Sequence, residues 1–143
     1  MSIRFASQDI DFELQKAENV KKWISRVIRL RGKRVGNISY LFCDDEHLLG
    51  VNQQYLNHDT YTDIITFDYV EDKYVSGDMF ISYDRVCDNA ENFNVSRETE
   101  LLRVMIHGVL HLVGYDDLTD EQETEIHKME DFYIDVYNKK FRK

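Results

Sequence analysis

The sequence predicts an α+β domain: a single mixed β-sheet of about four strands covered by about five helices, spanning residues 1–143 as one unit. Three observations lead there. Strand-like runs and stretches with 3.6-residue apolar periodicity are interleaved along the whole chain. Two neighbouring strand-like runs, at 63–69 and 78–83, should pair as a hairpin, so the sheet is not purely parallel. Finally, 143 residues that are 43% apolar and 13% aromatic can bury a sizeable core, which excludes a disordered chain.

Taken in order, residues 3–7 read as a short strand and 16–31 as a helix. In that helix Val20, Trp23, Ile24, Val27 and Ile28 form one apolar stripe, which is core rather than a cofactor box. A strand follows near 35–43, then a helix over 45–56 capped by Asp44 or Asp45. After the hairpin strands come a helix near 84–92 and an apolar helix over 97–113 with Ser96 as its cap. The last helix starts at Thr119, where Gln122 three residues later completes a capping box, and Ile126, Met129, Tyr133 and Val136 supply its buried face. Internal repeats, low-complexity segments and linkers are absent from the sequence.

Residues 1–5 lack the apolar centre of a signal peptide, and no stretch approaches the roughly 18 consecutive apolar residues of a membrane span. The expectation is a cytoplasmic protein with no membrane partner. Cys43 and Cys87 have no C-x-x-C spacing and read as buried thiols rather than ligands or nucleophiles.

The chemistry concentrates on the helix over 97–113, which should be central to the fold. His107 and His111 stand one turn apart on one face and can each aim a ring nitrogen at a single ion. One histidine on a buried helix is commonly a satisfied core residue. Two at ligand spacing, followed by Gly114 and Asp117, favour a metal. Gly114 tolerates the left-handed backbone that stops a helix, so the chain can fold back and bring Asp117 to the pair. Two neutral nitrogens and one carboxylate leave a fourth position open, as catalytic zinc sites do. Zinc, one ion per chain, is the first choice, although Fe(II), Ni or Mn also suit this donor set. Metzincin proteases share the spacing but carry a glutamate directly after the first histidine as general base. Here that residue is Gly108, so a peptidase reading loses its proton acceptor.

The run His107-Gly108-Val109-Leu110-His111-Leu112-Val113-Gly114-Tyr115-Asp116-Asp117 resembles the signature H-G-x-L-H-L-x-G-Y-D-H of the YbeY family of metal-dependent endoribonucleases. Every fixed position matches but the last, where Asp117 replaces the third metal-binding histidine. Upstream, Asn52 and Tyr55, then the segments 62–67 and 77–82, are similar to further family motifs in the same order, so the resemblance runs from about 40 to 130. Leu56 occupies the place of the family's arginine, thought to act on phosphate, and Tyr61 that of a proline. The resemblance implies the same α+β fold. It implies a single-strand-specific endoribonuclease in ribosomal RNA maturation and ribosome quality control, with a zinc-activated water. Its implied partners are RNA and components of the small ribosomal subunit. Loop 57–61 would border the site.

With Gly108 in place of a glutamate, Asp63 and Asp116 are the candidate catalytic carboxylates for the proton of the attacking water. Each also has a plain reading, Asp63 as a strand-end or capping residue and Asp116 as a turn residue. Without an arginine at 56, Arg103 and Arg97 are the nearest cations in sequence, with ordinary solvated charge as their plain reading. His47 and His127 fall on exposed helix faces and His58 in an acidic loop, so none is expected to bind the metal.

A net charge of -9 argues against a polyanion partner, but the charge is unevenly distributed. Residues 1–40 hold nine Lys or Arg against four Asp or Glu. Lys21, Lys22, Arg26, Arg29 and Arg31, continued by Lys33 and Arg34, make a candidate RNA-binding face; a solvated helix face is the alternative. Two other functions stay open: a ribosome-assembly binding factor with a mainly structural metal, and a metzincin-like hydrolase of another substrate.

Overall fold

The computed structural model describes residues 2–58 and 60–142. Among them the chain runs β1 (Ser2–Ser7), α1 (Ala17–Leu30), β2 (Arg34–Cys43), α2 (Asp45–Leu56), β3 (Ile64–Asp68), β4 (Tyr74–Ser82), α3 (Tyr83–Asn92), α4 (Arg97–Leu112) and α5 (Asp120–Val136), closing with a π turn at Tyr137–Phe141. One sheet has the order β1-β2-β4-β3, parallel across the first two pairings and antiparallel for β3 on β4. The expected α+β architecture with four strands and five helices is therefore present.

The apolar stripe of α1 buries all five of its expected residues. Trp23 also satisfies its one polar atom when buried, the indole N–H donating to the Tyr133 carbonyl at 2.8 Å and tying α1 to α5. Likewise, the buried Tyr40 hydroxyl on β2 donates to the Met105 carbonyl of α4 at 3.0 Å. α4 is buried almost all round, as its composition demands, and lies between the sheet and α5. A smaller cluster of Cys43, Leu48, Val51 and Ile65, backed by Phe67 and Phe80, glues α2 to the opposite face of the sheet.

The caps fall as the sequence indicates. Asp44 accepts from the His47 amide, Ser96 accepts from Thr99, and Thr119 and Gln122 form the reciprocal capping box. Two expectations needed tertiary information to be right. β4 starts at Tyr74 rather than 78, because Tyr74 and Val75 find partners in Arg34 and Val35 of β2. The buried face of α5 includes Glu130 and Ile134, whereas Val136 is only half-buried. Of the cysteines, Cys43 is buried as expected and Cys87 only partly.

Candidate metal centre

α4 comes unusually close to the sheet at Gly108. A Cβ there would meet Met79 Sδ at 2.4 Å and Ile64 Cδ1 at 3.0 Å, so a side chain would have to displace the residues beneath it. The position that carries the general base of a metzincin is thus filled by the sheet. This close approach sets His107 and His111 beside edge strand β3.

The stop of α4 is equally specific. The Tyr115 amide donates to the Leu110 carbonyl at 3.0 Å and the Gly114 amide to the His111 carbonyl at 3.1 Å. These are the two bonds of a Schellman motif, with Gly114 at φ 111° as its left-handed residue. Arg31, at the end of α1, donates to the Tyr115 hydroxyl at 2.6 Å and steadies the turn. Two residues later Asp117 faces the histidines.

The donor atoms of His107, His111 and Asp117 lie within 4.8 Å of one another. The two Nε2 atoms are 2.9 Å apart, and Asp117 Oδ2 is 3.4 Å from His107 Nε2 and 3.5 Å from His111 Nε2. Tetrahedral ligation at metal–ligand distances of about 2.0–2.2 Å separates donors by about 3.3–3.6 Å, so the residues fit a first-row cation with little movement. Among the described residues no fourth His, Cys, Asp or Glu joins the group.

Behind His107 stands a residue that sequence patterning missed. Glu130, 1% exposed, accepts from His107 Nδ1 at 2.6 Å. It also accepts from Arg103 at 3.2 Å and from His127 Nδ1 at 3.1 Å. Burial disfavours its charge, but the bonds from His107 and His127 outweigh that and hold its pKa below the usual carboxylate value. An ionised Glu130 can only accept, so His107 carries its proton on Nδ1 and presents the Nε2 lone pair to Asp117 and His111. Burial opposes charging His107 too; Glu130, Asp117 and Asp63 together raise its pKa nonetheless. The signal in the sequence was a glutamate inside the apolar stripe of α5.

Arg103 is not the solvated charge its plain reading expected. It is bound to Glu130 and to Asp131 at 2.8 Å and approaches Glu100 at 3.8 Å, which commits it to the rear of the site. Arg97 lies away from the site, lining a cavity with Phe12, Tyr83 and Tyr137. His127 is exposed and His47 half-buried.

On its open side the triad borders a cleft of about 470 Å³ lined by Leu56, Thr62, Asp63, Ile64, Thr66, Asp68, Leu112, Asp116 and Asp117. Both candidate catalytic carboxylates therefore lie in the cleft. Burial raises the pKa of Asp63, an effect opposed by His107 and the local backbone amides and reinforced by Glu130. Leu56 and Thr62 reach the cleft, while Tyr61 turns away to donate to Glu46 at 2.7 Å. Lys21 pairs with Glu18 at 3.3 Å and lies along Phe5, leaving the Arg31 end of α1 as the basic part that touches the site's own turn.

The family model described as Endoribonuclease YbeY matches residues 3–138. The chain belongs to the YbeY family. An endoribonuclease YbeY of Flavobacterium psychrophilum is 48% identical over 132 residues, covering 92% of this chain and 94% of the relative. One from Parabacteroides distasonis is 51% identical over 117 residues, 82% of either chain. A Thermotoga maritima protein solved in solution superposes with a TM-score of 0.71 at 28% identity, over 96% of this chain and 91% of its own. These matches are what the resemblance in the histidine motif implied, and they extend it over nearly the whole YbeY-family chain.

Two predictions follow from the buried carboxylates. Glu130→Gln keeps the shape but loses the charge that orients His107, so its affinity for zinc should fall about 10–100-fold in a chelator competition; undiminished affinity would show that Glu130 merely fills space. Glu100, 3% exposed with an unbonded Oε1, has its pKa pushed up from 4.5 to about 7 by burial, an effect opposed by Arg103. The folded state then binds more protons than the unfolded one between those values, and stability is lost as pH rises through that window. Glu100→Gln should outlast the parent protein in urea by a margin that grows between pH 4.5 and 8, toward the order of 3 kcal/mol. A margin independent of pH would refute this.

Proposed function

We propose that this YbeY-family chain is a metal-dependent endoribonuclease acting on single-stranded RNA, with His107, His111 and Asp117 holding one divalent cation, zinc by first choice. The observation that carries this reading is the convergence of two imidazoles and one carboxylate at the edge of an open cleft. The names of the relatives support the activity. The reading also takes residues 1–143 as one hydrolase domain working in the cytoplasm, in ribosomal RNA maturation and ribosome quality control, with ribosomal RNA and small-subunit components as partners. No helix among the described residues is long and apolar enough to cross a membrane.

A cation held by these three residues supplies Lewis acidity toward a phosphoryl oxygen and lowers the pKa of nearby water. The chain's own groups do the rest. Glu130 fixes the tautomer and orientation of His107. Asp63, whose pKa burial raises, takes the proton of the attacking water. Asp116, an exposed residue of the same cleft, is the second candidate for proton transfer. Lys21, Lys22, Arg26, Arg29 and Arg31 attract the RNA backbone, and Arg31 links this face to the metal turn through Tyr115.

One observation favours a second reading: among the described residues no Lys or Arg lines the cleft, and Leu56 stands there 40% exposed where the resemblance expects an arginine. A phosphate would have no protein cation beside it. That suits a ribosome-assembly binding factor whose metal is mainly structural. A metzincin-like peptidase is disfavoured by the filled position at Gly108.

The test pairs elemental analysis with cleavage of a single-stranded RNA oligonucleotide. The parent protein should carry about one ion and cleave, His111→Ala and Asp117→Ala should lose both, and Asp63→Asn should keep the ion but lose cleavage at least about 100-fold. Cleavage surviving in ion-free variants would sink the nuclease reading. Bound ion without cleavage in the parent protein would favour the assembly factor.

A further inference from the structure

The hydrogen-bond parity of β3 follows from two bonds at its ends. The Ser82 amide donates to the Asp63 carbonyl at 3.0 Å, and the Tyr69 amide donates to the Ser76 carbonyl at 2.9 Å. Residues of an antiparallel ladder that exchange bonds with their partners alternate with residues that do not. In the register Ile64↔Ile81 to Asp68↔Gly77, positions 63, 65, 67 and 69 therefore bond inward to β4. The amides and carbonyls of Ile64, Thr66 and Asp68 point outward instead.

β3 is the edge of the sheet, and no strand among the described residues covers that side. Ile64, Thr66 and Asp68 line the same cleft as His107, His111 and Asp117. The Ile64 carbonyl accepts a 3.4 Å bond from the Thr62 hydroxyl, which confirms that it faces away from β4. The outward groups of Ile64 are already used, its carbonyl by the Thr62 hydroxyl and its amide by the Asp63 carboxylate, so the donors and acceptors that β3 offers beside the metal centre are those of Thr66 and Asp68.

Charge selects what can lie there. Asp63, Asp68, Asp116 and Asp117 line the cleft, and among the described residues no Lys or Arg joins them. Phosphate oxygens are repelled from such a wall except at a bound cation. The edges of unpaired bases are neutral, offer donors and acceptors together, and carry amino groups that carboxylates accept. We propose that the outward edge of β3, centred on the Thr66 amide and carbonyl, holds the unpaired bases of single-stranded RNA beside the metal centre. The inference rests on the RNA reading above and deepens it: a base already paired in a duplex has no free Watson–Crick edge to offer, so β3 is the source of single-strand selectivity.

Amide exchange followed by NMR tests it on the zinc-loaded protein, with a cleavage-resistant phosphorothioate single-stranded RNA 12-mer and the matching duplex as probes. The single strand should slow exchange at Thr66 and Asp68 about tenfold or more, the duplex should not, and Ile65 and Phe67, already bonded to β4, should change little. Unchanged exchange with the single strand, or equal slowing by the duplex, overturns the proposal. Protection by an extended peptide but not by RNA also overturns it. A second measurement compares Thr66→Pro, which removes the outward amide together with the hydroxyl at a place where edge strands accept proline, with Thr66→Val, which removes the hydroxyl alone and should bind RNA as the parent does. Thr66→Pro should keep its metal affinity and lose about tenfold in single-strand affinity, as expected for one hydrogen bond. Retained RNA affinity in the folded Thr66→Pro variant would overturn the proposal.

The two readings fail separately. Protected amides without cleavage refute the nuclease and leave the β3 edge as an RNA-binding surface. Cleavage with unprotected amides refutes the edge and leaves the nuclease.

Discussion

The contact on which the site depends is the seating of α4 on the sheet. Two glycines permit it from opposite sides. Gly108 on the helix leaves its space to Met79 and Ile64, and Gly77 on β4 leaves its space to the Phe67 carbonyl, 2.7 Å from a Cβ there, and to Leu112, whose Cδ1 would stand at 3.0 Å. Helix axes usually stand off a sheet by the thickness of the side chains between them, and here that thickness is partly removed. The histidine face of α4 and the edge of β3 consequently line one cleft. A side chain at 108 would have to displace Met79 or Ile64, or lift the histidine face of α4 from β3.

Given that seating, the other parts of the site are consequences of local chemistry. The Schellman stop at Gly114 reverses the chain within three residues and delivers Asp117. The capped start of α5 then lays Glu130 against the back of His107. Buried charge on that side is matched by Arg103, the cation within bonding reach of Glu130. The front is different. It gathers carboxylates from β3 and the post-α4 turn, and a cation at the triad would supply the positive charge this wall lacks. Under the proposed RNA reading, the cations on α1 and the anions of the cleft are complementary parts: the first would draw the polyanion toward the molecule, and the second would admit its neutral portions and the atoms that face the ion.

Most of the elements and three residues of the site were legible because their signals are local. Ligand spacing on one helix face, a glycine stop and caps at 44, 96 and 119 each depend on a few neighbouring residues. What sequence periodicity could not supply was information held by partners far along the chain. The first four residues of β4 lack a strand pattern of their own and extend because β2 lies alongside. Glu130 is an acid at a core position, which patterning reads as an interruption of the apolar face; its meaning appears only once His107, 23 residues earlier, is placed beside it. Arg103 looked like solvent-facing charge for the same reason.

The central claim is that two imidazoles and one carboxylate of this chain make a single cation site. X-ray absorption at the zinc edge of the loaded protein tests it most directly. The account predicts one ion with two imidazole nitrogens and one carboxylate oxygen from the protein, and the imidazole count falling to one in His111→Ala. A third imidazole, a sulfur in the coordination shell, or an unchanged spectrum in that variant would contradict it.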